Sequence, residues 1–265
     1  MDLFQSERAL HCPSNKNVRL DGNQTHPFIK PWSQEKLDDF LKRCGLCSKN
    51  PSKGIYIKNH DEVFFILRKM ILNKEIKPVL EIYHADAHAD LGCGDASSTY
   101  IMNELIQLPA QKRIYPKLRF EENNSKIGDL EGLSEGNYLL FMLACTWIKK
   151  LIYIHHKDCF DDIPFTLFPG KVPKKGIIKL PIYNKIQLDS VQNLAVKLIR
   201  NNIEAVKYDP EVKFERILND QFYTDTKFDL IFVCQSPTYT LTKTDELFDI
   251  IKKYIFPDKV LSSIL

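Results

Sequence analysis

The segment Asp86-Ala87-His88-Ala89-Asp90 concentrates the chemistry of this chain, and it follows directly on the apolar run Val79-Leu80-Glu81-Ile82-Tyr83. In an extended chain, side chains at i, i+2 and i+4 share one face. That spacing sets His84, Asp86, His88 and Asp90 side by side at the end of a strand. Two carboxylates and two imidazoles are costly to pack together unless a cation sits among them. A divalent metal is the simplest such cation, and mixed Asp/His donors suit manganese, iron or zinc better than calcium or magnesium. The competing reading is a solvated turn, which explains any one of these residues alone but not the alternating set behind an apolar strand.

The elements that must position this set are legible around it. Residues 1 to about 50 read as polar and irregular, with one helix near Ser33 to Arg43, capped by Ser33 with Glu35 in its first turn. After Gly54 the pattern becomes regular. Strands are expected over Ile55 to Lys58, Val79 to His84, Leu151 to His155 and Phe228 to Cys234, with a weaker extended piece at Leu180-Pro181-Ile182. Helices are expected over Val63 to Leu72, Ser97 to Leu108, Gly136 to Trp147, Leu188 to Asn201 and Asp245 to Tyr254, while 110–134 is charged and loop-like. Apolar strands alternating with helices imply an α/β fold whose parallel sheet is buried on both faces. Ligands then bind at the carboxyl ends of the strands. Polar clusters stand at four of those ends: His60-Asp61-Glu62, Asp86 to Asp90, His155-His156-Lys157-Asp158, and Gln235-Ser236.

Composition narrows the classes. A chain of 265 residues with 44% apolar and 27% charged residues fits one ordinary globular domain. A net charge of +3 is too small to argue for nucleic acid. Neither a membrane span nor a signal-peptide pattern is evident. The cysteines number seven, an odd count, and Cys145 and Cys234 lie in apolar segments, so free thiols in a reducing cytoplasm are expected. Cys44-Gly45-Leu46-Cys47 has no second ligand pair at zinc spacing, His11-Cys12 included, and it follows a helix rather than a strand. Neither a zinc nor a redox role is expected of it.

With these residues in hand, the chain resembles the arginase–agmatinase–deacetylase fold. Asp86-Ala87-His88-Ala89-Asp90 matches the DAHxD motif of arginases, and Asn59-His60 stands where an earlier strand of that fold ends in a ligating histidine. The resemblance implies a three-layer α/β domain over 1–265, with a mostly parallel sheet flanked by helices. It also implies that His60, Asp86, His88 and Asp90 are metal ligands, with Asp86 bridging if two ions bind. The third arginase motif, SxDxD, is not matched: Phe232-Val233-Cys234-Gln235-Ser236-Pro237 carries no carboxylate. Either one metal binds, or Glu62, Asp158 or Asp162 completes a second site. Glu135-Gly136-Asn137-Tyr138-Leu139 and Phe228-Asp229-Leu230-Ile231 with Ser236-Pro237 extend the likeness to a divergent arginase-like family that includes peptide arginases. These convert arginine to ornithine within ribosomally made precursor peptides.

The chemistry implied is hydrolysis of a guanidinium, which resists water at neutral pH unless a divalent cation, here manganese as one or two ions, acidifies that water. His155, His156 and His84 are candidates for the proton transfer, His155 and His156 also reading as satisfied strand-end residues. A carboxylate must orient the planar guanidinium, and Glu62, Asp95, Glu131 and Glu135 are candidates. Asn137 either contacts substrate or caps the helix that follows it. Cys93, beside the motif, reads as a small packed residue. The expected partner is an arginine-containing precursor peptide rather than nucleic acid or membrane, with 111–134 as an open groove wall. Two alternatives stand beside this: a zinc-dependent deacylase of the same fold, and a degenerate metal-binding interaction module.

Overall fold

A computed structural model describes residues 1–6, 29–92, 100–115, 133–157, 163–164, 167–168, 172–182 and 205–258. Cys93, Asp95, Glu131, Asp158, Asp162, the expected helix at 188–201, residues 97–99 of the expected helix at 97–108 and most of the segment 111–134 lie outside them.

Helix α1 spans Gln34–Arg43 and begins as its sequence requires: Ser33 Oγ accepts from Lys36 N at 3.3 Å. Its apolar stripe, Leu37, Phe40 and Leu41, is buried. Strand β1, Ser52–Ile57, leads through Asn59-His60 into α2, Glu62–Leu72. Strand β2 covers Leu80–Ala85 and β3 covers Ile148–His155. Between them, α3, Tyr138–Ala144, has all its residues buried. Each fully buried Leu there contributes roughly 1.5–3 kcal/mol over an exposed one. Residues Ile101–Leu105, inside the helix expected at 97–108, form one π-type turn instead.

The sheet is mostly parallel, as expected, but is divided in two. One part has the order β6-β1-β7, where β6 is Phe232–Cys234 and β7 is Ile255–Pro257, all parallel. The other has the order β2-β3-β5-β4, where β4 is Lys175–Ile182 and β5 is Lys207–Leu218. Strands β2, β3 and β5 are parallel, and β4 closes the edge antiparallel. Strand β5 escaped the sequence reading because its apolar residues alternate with charges and Pro210 interrupts the run. Pro210 lies beyond the β3 ladder, near a register irregularity against β4, where a missing N–H is tolerated.

The continuous strand expected over Phe228 to Cys234 is laddered only from Phe232. The preceding residues line a cavity of about 760 Å³ that separates β6 from the free edge of β2. Tyr83 and Phe228 meet across it edge to face, with ring centroids 5.2 Å apart. The expected helix at 245–254 is a 3₁₀ segment, Thr242–Leu247, running into α4, Phe248–Tyr254. At Gly54 in β1, a Cβ would lie 2.4 Å from Ile255 of β7, so only glycine fits between the strands. Among the described residues no helix is long and apolar enough to cross a membrane.

The larger core sits beneath α2 and α3. Phe64 is fully buried, stacked on Trp147 at 4.9 Å and edge-on to Phe141. Phe64→Ala is therefore expected to lower the unfolding free energy by about 3–5 kcal/mol. Urea denaturation checks this, and a loss below about 1 kcal/mol would contradict the packing described.

Candidate metal centre

The centre is built where the carboxyl ends of the two sheets meet. His60 follows β1 in the turn that opens α2, and Asp86 and Asp90 follow β2. His60 Nε2 lies 3.1 Å from Asp86 Oδ2, and His60 Nδ1 lies 3.4 Å from Asp90 Oδ2. All three residues are buried, and one donor atom from each falls within 4.8 Å of the others. That is the spacing of ligands around a single ion.

Convergence is not achieved by strand alternation. Strand β2 ends at Ala85, and residues 86–90 turn. Asp86 Oδ1 accepts from His88 N at 2.8 Å, a local turn bond typical of aspartate. Asp90 then takes φ +50°, a left-handed backbone that aspartate tolerates better than most residues. The turn brings Asp86 and Asp90 together, and His88 borders the three-donor cluster without belonging to it. His88 Nδ1 is 3.8 Å from Asp86 Oδ1, and its ring packs on Tyr239 at 4.9 Å.

His84 lies beside the cluster, with both nitrogens engaged. Nε2 donates to the His88 carbonyl at 3.0 Å, leaving Nδ1 to accept from the Tyr138 hydroxyl at 3.5 Å. Nε2 is also 3.3 Å from Asp90 Oδ2. Asp90 Oδ2 is a buried acceptor whose near neighbours are these His60 and His84 nitrogens, neither in good hydrogen-bond geometry. A cation is what such an oxygen lacks, and one nitrogen with two carboxylates is a donor set that manganese or zinc accepts.

The electrostatics agree. Burial drives the His60 imidazole down, but Cys234, Asp86 and Asp90 outweigh it and hold the group well above its ordinary value. Burial likewise opposes ionisation of Asp86, yet His60 and the bond from His88 keep it well below the usual carboxylate range. Asp90 is pushed up, first by burial and then by the charge of Asp86. His84 is raised because Asp90 and Asp86 overcome its burial. A divalent ion bound by the two carboxylates would compete with these protons, so metal binding at this cluster would strengthen as pH rises.

The other sequence candidates are dispersed. Glu62 Oε1 accepts from the backbone of Lys58 at 3.1 Å and Asn59 at 2.7 Å, holding the turn that presents His60. His155 ends β3, with Nδ1 2.8 Å from the His156 carbonyl, and His156 is buried; neither belongs to the three-donor cluster. Asn137 occupies the cap position of α3, but its Oδ1 turns back to accept from Ser134 N at 2.8 Å. Glu135 is buried beside it. Cys44 follows the last turn of α1, and burial pushes its thiol up to about 12, so Cys44 is held as the neutral thiol.

A narrow cleft of about 100 Å³ reaches the cluster between His60, His88, Asp90, Gly92, Gly136 and Tyr239. Gly92 N donates to Gly136 O at 2.9 Å, and a Cβ on Gly92 would press that oxygen at 3.0 Å. Sequence reasoning missed Tyr239, whose only signal was the Ser236-Pro237 turn: Ser236 at φ +55° and Pro237 start the 3₁₀ turn that carries it. Gln5 holds that turn. It is fully buried, its Nε2 donates to Tyr239 O at 2.8 Å, and its Oε1 accepts from Leu241 N and Thr244 Oγ1.

Neither protein-family models nor curated proteins returned a match to this chain.

Three outcomes are expected. Manganese or zinc at a hundredfold excess over its Kd should stabilise the protein by about 2.7 kcal/mol, reversibly with a chelator. Asp86→Ala and His60→Ala should abolish that shift, and elemental analysis of the purified variants checks the stoichiometry. Gln5→Ala should cost about 1–3 kcal/mol by leaving buried partners unsatisfied, read by thermal or chemical denaturation.

Proposed function

We propose that this protein is a hydrolase of carbon–nitrogen bonds, acting through a divalent ion held by His60, Asp86 and Asp90, and that its substrate is arginine within a peptide. The reading includes a three-layer arginase/deacetylase-like fold and a reducing cytoplasm, the latter consistent with the free thiols of Cys44, Cys47, Cys145 and Cys234. The observation that carries it is the buried convergence of His60, Asp86 and Asp90, one donor atom from each within 4.8 Å of the others.

When bound, the ion supplies water acidic enough to lose its proton near neutral pH. In the proposed reaction a water oxygen would bond to the guanidinium carbon, the bond to the side-chain Nε would break, and the departing nitrogen would take a proton. Ornithine and urea result. His88 lines the cleft that an incoming side chain would use, so it is closer to that task than His155 or His156, which do not line it. Tyr239, packed on His88, offers an aromatic wall to a planar cation. The cleft suits one slender side chain, with Glu135 buried beside its Gly136 wall.

One observation favours a second reading, a deacylase. The larger cavity has His60, His84 and Asp86 on its wall beside apolar Leu80, Ile82 and Phe228, a lining suited to an acyl chain.

Mass spectrometry of arginine peptides incubated with protein and manganese or zinc separates the two. Loss of about 42 Da per arginine is what urea release requires. Urea should form faster from the peptide than from free arginine at equal concentration; the reverse order would reject the peptide substrate. Release of a carboxylate from acyl-lysine peptides, without urea, would establish the second reading. Neither product from metal-loaded protein would leave an interaction module.

A further inference from the structure

We propose that the broad cavity between the sheets is a strand-binding groove, in which an extended peptide pairs with the free edge of β2 and brings an arginine to the metal centre. The arginine rests on the function proposed above; the groove itself is read from the backbone. Strand β2 stands at the edge of its sheet, and β6 at the edge of the other. Along a strand, the backbone groups of successive residues point to opposite sides in the plane of the sheet. Leu80 N donates to Trp147 O and Asp86 N to Ile154 O, so the even-numbered residues of β2 face β3. The N–H and C=O of Glu81, Tyr83 and Ala85 therefore point away from β3, toward the cavity that their residues line. Among the described residues no strand ladders onto them.

These groups recur at every second residue, about 6.6 Å apart. Donors and acceptors at that repeat are the complement of an extended main chain, whereas an alkyl chain makes no hydrogen bond with them. The side chains ask for the same occupant. Ile82 of β2 and Leu230 and Phe232 across the gap are apolar yet only half-buried, and Ala85 is exposed. On the neighbouring strand, Ile152, Tyr153 and Ile154 are all buried. A peptide with apolar residues flanking its arginine would cover β2 as β3 is covered.

The volume, about 760 Å³, lies within the range of clefts that hold ligands. His60, His84 and Asp86 belong to its wall, at the end to which β2 runs. A peptide residue laid beside Ala85 thus adjoins Asp86. His60 borders both the broad cavity and the narrow cleft, so an arginine at that position can turn its guanidinium toward the cluster.

Amide hydrogen exchange followed by NMR tests this on the whole chain without added metal, which separates binding from activity. The probe is a short acetylated and amidated peptide of alternating valine and threonine with one arginine. Its binding should slow exchange at Glu81, Tyr83 and Ala85 by more than about tenfold and leave Ile82 and His84 little changed. Methylating the backbone nitrogens of the probe should weaken binding by more than about tenfold. Ala85→Pro removes one donor to the groove and none to β3, and should weaken the unmodified probe about as much. Should that variant fail to fold, the methylated probe still decides. Binding without protection of the three amides would overturn the proposal, as would equal affinity for the methylated probe or no binding at all. Stabilisation by dodecanoate and not by the peptide would make the cavity an acyl site and overturn it too. Protection that grows with protein concentration in the absence of peptide would assign the edge to a second copy, again overturning it. Protection with no urea from manganese-loaded protein would uphold the groove and reject the arginine reaction, and urea without protection would do the reverse.

Discussion

The contact of His60 with Asp86 and Asp90 is the interaction on which this architecture turns. Strands β2 and β6 share no ladder, so the two sheets are not one hydrogen-bonded surface. What joins them at their carboxyl ends is this buried group of charges, His60 from one sheet and the two aspartates from the other. Buried ion pairs seldom add net stability, since desolvation offsets their attraction. Three such groups at the junction of the sheets are therefore weak as a source of stability, and their convergence is the geometry from which a metal site is proposed.

The surrounding structure serves that junction by fixing what flanks it. Glu62 ties the backbone of Lys58 and Asn59, so His60 emerges from a braced turn. Beneath, α2 and α3 pack their apolar residues into a continuous core, and Tyr138 at the start of α3 reaches up to His84. Two openings result, of different character. The narrow one is edged by glycines and Tyr239, and the broad one is mostly apolar and lies between the sheets. A charged, slender group suits the first and an alkyl group the second.

Much of this was legible in the residues. The apolar runs located α1, β1, α2, β2 and β3 to within a few positions, because each is an unbroken run or a clear helical stripe. The sequence placed Asp86 and Asp90 side by side, and the structure brings them together by a different geometry. Alternation along a strand would have kept His88 with them, whereas a turn at Asp86 and a left-handed Asp90 separate it. Strand β5 was hidden by its charges and Pro210, and the break between the sheets by the apolar continuity of Phe228 to Phe232. Tyr239 carries no local signal beyond the Ser236-Pro237 turn, since it lines the cleft through contacts with His88 and Gln5, far away in the chain. Contacts of that kind are written in tertiary structure, where propensity and periodicity do not reach.

The Gln5–Tyr239 bond spans 234 positions of sequence. Closing so long a loop costs little more free energy than closing one half its length, because the penalty grows only logarithmically. Its effect on timing is larger, since contacts between distant segments form late and slow the search for the native state. The aromatic wall of the narrow cleft therefore waits on the joining of two remote pieces of chain, after the helices and local strand pairs can already have assembled. A nascent chain would hold its aspartates and histidines near one another before it held a finished entrance, and selectivity for what enters would be acquired last.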